Sequence, residues 1–307
     1  MNTYQKTAIA TVIATLVLIL IGGLVRAVGA GLGCPDWPTC FGMWIPPFHA
    51  EALPPGYDVS RFNVFHTWLE YVNRLTGVII GLFITATFLF SFRYRKSIPA
   101  VTLASGLAWG GVLVQGWLGG QVVQSGLHAG MITLHMLLAM FIVNLLLFAA
   151  YRSAVPLWTL ALTPQRRKRL MWIGSILLIF SLIQMVLGTQ VRESIDLLKN
   201  APEPLPRDVW IDTLDGGLYV LHRSFSWLVV GAAGWLWFDN WKSGDSPVLM
   251  KTVSVIAILV LLQGIGGVGM EWLGIPGILQ LLHLVSAALL ICAEFLFLLM
   301  AGFSKNP

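Results

Sequence analysis

Eight long apolar runs divide the chain, at about 8–28, 66–91, 100–123, 130–151, 171–191, 217–238, 251–269 and 277–301. Each is close to the roughly 20 residues that an α-helix needs to cross the hydrocarbon core of a bilayer. The segments between them are more polar and hold most of the charge. The pattern predicts an all-α polytopic membrane protein with eight transmembrane helices. The first run is long and lacks a small-residue cleavage site, so it reads as a true span and not as a removable signal.

The runs repeat. Span one ends in I-G-G-L-V-R, Ile21–Arg26, and span five in L-G-T-Q-V-R, Leu187–Arg192, at an offset of 166. Near the start of span two, Y-V-N-R (Tyr71–Arg74) matches Y-V-L-H-R (Tyr219–Arg223) of span six, with Asn73-Arg74 and His222-Arg223 aligned at 149. Gln115 of span three aligns with Gln263 of span seven, and His135 of span four with His283 of span eight, both at 148. Four matches in order, three of them at offsets within one residue, point to an internal duplication. An even number of spans per half gives both halves the same orientation, related by a pseudo-two-fold axis along the membrane normal. The expected architecture is two pseudo-symmetric four-helix bundles. The N-terminal half is at 1–151, a basic cytoplasmic linker at 152–170 and the C-terminal half at 171–307. Glycines in spans three and seven suit close helix contact.

Composition agrees with this and adds a direction. Of 307 residues, 57% are hydrophobic and 11% charged, which excludes an ordinary soluble domain. Arg93, Arg95 and Lys96 follow span two; Arg152, Arg166, Arg167, Lys168 and Arg169 follow span four; Lys242 and Lys251 follow span six. The opposite loops carry Asp36, Glu51 and Asp58, then Glu193, Asp196, Glu203, Asp208, Asp212 and Asp215. The positive-inside rule then puts both termini in the cytoplasm of a cell whose plasma (inner) membrane holds the protein. The net charge of +5 reflects this topology, and no nucleic-acid partner is expected. The first outer loop, about 29–65, and the third, about 192–216, are long enough to act as lids.

Five of six histidines, His66, His128, His135, His222 and His283, lie in or at the outer ends of even-numbered spans; His49 is in a loop. Counting about 1.5 Å per residue places Asn73, His135, His222 and His283 at similar depth, in the outer third of the membrane. Polar groups at that depth are costly and usually functional. Two neutral imidazoles facing each other, His222 and His283, suit the axial positions of a heme iron. In the first half Asn73 stands opposite His135, and an amide is a poor iron ligand. That half is suited to a heme held on one face by His135, with the other face open to oxygen or a substrate. His66 and His128 lie two turns further out, about 10 Å along the axis. They supply a ligand if the helix ends bend inward, bind another metal, or mark the water interface.

Glu70, one turn before Asn73, corresponds to Tyr219 in the second half and so is not part of the shared scaffold. It suits proton delivery or stabilisation of a cationic intermediate; alternatively it pairs with Arg74 or Arg26. Arg26, Arg74, Arg192 and Arg223 recur at equivalent places and suit carboxylates, with heme propionates the natural candidates. Cys34 and Cys40 are six residues apart, a spacing compatible with a disulfide, a redox-active pair or a metal-binding pair. Cys292 reads as a packing residue, and Glu294 has no assigned role.

With these residues the chain resembles the heme A synthase family over nearly its whole length. The resemblance rests on eight spans in two halves, G-L-G-C-P-D-W-P-T-C in the first outer loop, E-Y-x-x-R at Glu70–Arg74, and the histidines of spans four, six and eight. It implies heme b as cofactor on His222 and His283, substrate heme O at His135 and a catalytic contribution from Glu70; for Cys34 and Cys40 a disulfide is the expectation adopted. The implied reaction converts a porphyrin methyl group to a formyl group by successive hydroxylations and loss of water, and the product, heme A, serves terminal oxidases. Electrons would pass through the second-half heme from an unidentified donor. The substrate would enter sideways from the lipid, supplied by a heme O synthase; a homo-oligomer is compatible with this. The departure is Asn73, where the family pattern has histidine. Either His66 substitutes, or the site works with one axial histidine, or the chemistry is altered; the second is adopted as the expectation. A diheme cytochrome carrying electrons from quinol explains the histidines equally but Glu70 and Asn73 less well. A transporter explains the duplication but not the matched histidines.

Overall fold

The computed structural model describes residues 1–154, 160–199, 203, 205–206, 209–214, 216–244 and 246–306. Asp208 and Asp215 of the acidic loop, and 155–159 of the basic linker, lie outside the described residues. Among the described residues the regular structure is helical, with isolated bridges but no strand. The long helices are α1 (Thr3–Ala27), α2 (Val64–Ser91), α3 (Pro99–Gln124), α4 (Ala129–Ala154), α5 (Pro164–Lys199), α7 (Gly216–Ser243), α8 (Pro247–Trp272) and α9 (Gly277–Gly302); α6 (Trp210–Thr213) is a single turn. Among the described residues, seven helices are both long and apolar enough to cross a membrane. The sixth expected span, α7, has the length, but Trp227, Trp235, Trp237 and Trp241, with His222 and Arg223, dilute its hydropathy.

The chain divides into two compact units, Met1–Ala150 and Tyr151–Pro307. In the first, α1 packs on α2 and α2 on α3. Ile80 and Ile84 of α2, Ala108 of α3, and Ile142 and Leu146 of α4 form one buried cluster. Tyr4 and Ala8 of α1, Val101 and Ala104 of α3, and Ala149 form another. Buried hydroxyls pair between helices: Tyr4 with Ser105 at 2.9 Å and Thr11 with Thr87 at 2.8 Å. Lipid offers such groups no partner, so they must be satisfied internally. Apolar side chains such as Val78, Leu82, Leu103 and Leu113 remain exposed. Between helices in lipid there is little hydrophobic driving force, so dispersion contacts and these hydrogen bonds hold the helices together.

In the second unit α5 packs on α7 and α9, and α8 packs on α7 and α9, which makes α7 and α9 diagonal neighbours across the interior. Leu177, Val229, Leu236, Val253, Ile256, Leu290 and Phe297 fill the core. At one end Asp239 of α7 pairs with Arg166 and, at 2.5 Å, with Arg169, both from the first turns of α5. Helix α5 runs eight residues past the expected end of span five. Val191, Ile195 and Leu198 continue its apolar face and cluster with Trp210, Leu214 and Ile275, while Arg192 and Asp196 form an i,i+4 ion pair at 2.8 Å. The expected loop at 192–216 is therefore partly helical.

The loop between α1 and α2 contains two short 3₁₀ turns, Ala50–Ala52 and Val59–Arg61. A disulfide joins Cys34 and Cys40, whose Cα atoms are 4.7 Å apart. Both sulfurs are buried among Phe41, Leu53, Tyr57, Phe62 and Tyr71. The Asp36 carboxylate accepts bonds from Thr39 Oγ1 and the Phe41 and Gly42 amides, closing the turn.

Candidate functional site

His222 on α7 and His283 on α9 occupy the diagonal pair of helices in the second unit. Each is set by a glutamine and a glycine on a neighbouring helix. Gln184 Nε2 of α5 donates to the His222 carbonyl at 2.9 Å, and Gln263 Nε2 of α8 to the His283 carbonyl at 2.8 Å. A Cβ on Gly188 would lie 3.2 Å from His222 Cε1, and one on Gly266 would lie 3.4 Å from His283 Nδ1. The glycines let the rings approach the neighbouring backbone.

The first unit shows the same contacts around His135 of α4. Gln115 Nε2 donates to the His135 carbonyl at 3.0 Å, and a Cβ on Gly119 would lie 3.5 Å from His135 Cε1. Asn73 of α2 faces Gly22 of α1, whose added Cβ would lie 3.7 Å from Asn73 Oδ1. The three rings are half-buried, yet Nδ1 of His135, His222 and His283, and Oδ1 of Asn73, are buried without a hydrogen-bond partner. Unpartnered buried polar atoms cost about 1–3 kcal/mol each. Imidazoles with a free ring nitrogen and a glycine beside each ring fit a porphyrin iron.

Glu70 sits elsewhere in the chemistry. Its side chain is buried, at 3% exposure. One carboxylate oxygen accepts the Cys34 amide at 2.9 Å and the other pairs with Arg74. Arg74 donates as well to the carbonyls of Asp36 (2.7 Å), Thr39 (2.8 Å) and Cys34 (3.1 Å). Of the alternatives for Glu70, this is the pairing with Arg74, and it leaves Arg74 only its Nε–H for a propionate. Thr67 Oγ1 donates to the Gly33 carbonyl at 2.9 Å. A Cβ on Gly33 would meet the His66 carbonyl at 2.4 Å, so only glycine lets the loop seat here. From this clamp Trp37 reaches α3, where a Cβ on Gly120 would fall 2.8 Å from its ring.

The remaining candidates scatter. Arg192 pairs with Asp196 and Gln280, with its Nε buried and unpartnered. Arg223 is exposed and holds Glu271 at 3.0 Å. Arg26 lies in the last turn of α1 and is engaged. His66 is in the first turn of α2, and His128 is exposed before α4, its Nδ1 accepting the Gly130 amide. Among the described residues no three His, Cys, Asp or Glu side chains converge on a metal position. Glu294 is buried and accepts the Ser181 hydroxyl at 2.7 Å. Sequence reasoning passed over Gln184, Trp37 and the Gly22/Gly188 pair. Only the glycines left a signal, since they align within I-G-G-L-V-R and L-G-T-Q-V-R.

The comparisons with known proteins give a family. The profile of the COX15-CtaA family, described as cytochrome oxidase assembly protein, matches residues 5–295. A heme A synthase from Shewanella oneidensis is 30% identical over 149 residues, covering 47% of this chain and 43% of that protein. Its counterpart from Shouchella clausii is 26% identical over 272 residues, 86% of this chain and 85% of that one. One from Nitrosomonas eutropha is 24% identical over 316 residues, 90% and 87% respectively. The first match spans under half of either protein, and the other two run nearly end to end. With the profile matching nearly the whole chain and reaching into all eight long helices, the chain belongs to the COX15-CtaA family of cytochrome oxidase assembly proteins.

Proposed function

We propose that the protein is a heme A synthase, oxidising a methyl group of heme O to the formyl group of heme A by successive hydroxylations. The observation that carries this is the set of three half-buried imidazoles with unpartnered Nδ1 atoms, each beside a glycine, in a chain whose relatives are named for this reaction. His222 and His283 would hold heme b, and His135 the substrate. When bound, the heme supplies electron transfer to the reaction. Gln184, Gln263 and Gln115 fix the helix turns that bear the histidines. Arg192, with an unpaired buried Nε–H, is the arginine best suited to a propionate.

Glu70 and Arg74 act here as positioning residues. They hold the disulfide-closed loop over the first unit, where Trp37 covers Gly120, one residue from the glycine that faces His135. A covered site keeps water from reactive species, which serves a methyl oxidation. The recurring Gln, His and Gly contacts support reading the two units as a parallel duplication, with 1–151 as the substrate half and 171–307 as the heme b half. The basic segments support placing both termini in the cytoplasm of a plasma membrane, with the histidines toward the outer face. An apolar substrate made in the same bilayer by a heme O synthase would arrive through lipid.

Extraction and chromatography of the hemes from protein made in cells that produce heme O tests this reading. Heme b together with heme O, heme A or the hydroxylated intermediate is expected. Heme b alone, at two per chain, would replace the enzyme with an electron carrier; absence of heme would overturn both.

A further inference from the structure

We propose that Asn73 leaves the substrate iron in the first unit with one protein ligand, His135, and one open coordination position that takes a small neutral ligand beside the Asn73 carboxamide. This deepens the reading of His135 as the substrate-heme ligand and rests on it.

The two units make the argument by comparison. In each, a glutamine on one helix donates to the carbonyl of the last histidine, Gln115 to His135 at 3.0 Å and Gln263 to His283 at 2.8 Å. In each, a glycine faces that histidine, Gly119 at 3.5 Å and Gly266 at 3.4 Å to an added Cβ. In each, a glycine of the first long helix faces the group that stands opposite: Gly188 faces His222, and Gly22 faces Asn73. These contacts recur, while Gln184 of the second unit aligns with Leu18 of the first, Tyr219 with Glu70, and the facing group changes from histidine to asparagine. An imidazole nitrogen is a good donor to heme iron, whereas carbonyl oxygen suits hard ions such as magnesium, calcium and manganese. The second unit therefore offers two ligands and the first offers one.

Asn73 also has an unmet need. Its Oδ1 is buried with no partner, and a buried amide without a hydrogen bond is disfavoured. A water on the open side of the iron would donate to that oxygen, whereas carbon monoxide, which has no hydrogen, would meet it only as a dipole. His66 does not fill the position. Helix α2 is already helical at Val64, and the Asn63 side chain caps its first turn through the His66 amide at 3.0 Å. Seven residues of helix then hold His66 about 10 Å along the axis from Asn73.

Carbon monoxide is the probe. Purified protein carrying two hemes per chain should bind one carbon monoxide per chain when reduced. When oxidised, it should show a high-spin resonance beside the low-spin signal of the second unit. Asn73→His should take carbon monoxide binding from one per chain to none and convert the high-spin signal to low-spin. Asn73→Leu, of similar volume but without the amide, should still bind carbon monoxide, with a shifted C–O stretch. Two low-spin hemes per chain with no carbon monoxide binding would overturn the proposal while leaving the synthase reading in place. An unchanged C–O stretch in Asn73→Leu would overturn the part assigned to the amide. A single bis-histidine heme b per chain, with neither heme O nor its products, would remove the underlying reading and the proposal together.

Discussion

One oxygen of the Glu70 carboxylate is committed to the Cys34 amide of the α1–α2 loop and the other to Arg74, one turn along α2, which itself donates to that loop. That arrangement favours a structural effect over direct contact with substrate. Removing one partner of a buried ion pair costs about 3–5 kcal/mol, because the other charge is left without compensation. Glu70→Ala and Arg74→Ala should each lower the melting temperature and impair turnover to a similar degree, because each releases the same loop. Assays of the two purified variants check this. Full turnover in Arg74→Ala alongside an inactive Glu70→Ala would put the carboxylate on the substrate after all. Glu70 was legible in the sequence as unusual, since its repeat partner is Tyr219. Its pairing with Arg74 was among the expectations, but the Cys34 amide was not, because it lies 36 residues away along the chain.

At the scale of a helix, Gly188 separates stability from heme binding. Alanine is better than glycine in a helix by about 1 kcal/mol. Its Cβ at this position would press on His222 Cε1 at 3.2 Å, which a shift of a few tenths of an ångström relieves. Gly188→Ala should therefore leave the apoprotein as stable or slightly more so while perturbing the low-spin heme spectrum. Gly188→Val, which adds bulk against the same ring, should lose the second-unit heme while the first-unit heme remains. Pyridine hemochrome titration with thermal unfolding measures both, and an unaltered heme content in Gly188→Val would show that the ring does not bind there. The spans themselves were readable from apolar run length. The end of α5 was not, because the continuation to Lys199 depends on Ile195 and Leu198 finding Trp210, Leu214 and Ile275.

For the whole molecule the open quantity is how many helices cross. Eight long helices give an even number, yet α7 falls short of the hydropathy of the other seven. Its polar residues include His222, which has a stated use, and tryptophans, which favour membrane interfaces. If α7 crosses, tags at the two ends of the chain should be reached from the same side of intact membranes, and a tag in the loop between α5 and α7 from the other. Termini on opposite sides would mean that α7 does not span.

Several features follow from the sequence alone because they depend on local composition or on repetition. Run length determined the helices, charge bias gave the expected orientation, and the offsets of 148 and 149 paired His135 with His283 and Asn73 with His222. Other features needed the tertiary structure because they depend on which surfaces meet. The diagonal placement of α7 and α9, the glycine facing each ring, the burial of Asn73 Oδ1 and the capture of Glu70 by a distant loop are contacts between helices or between helix and loop. Hydrophobic patterning records that a helix is apolar. In a membrane helix that is apolar on every side, it does not record which face turns inward.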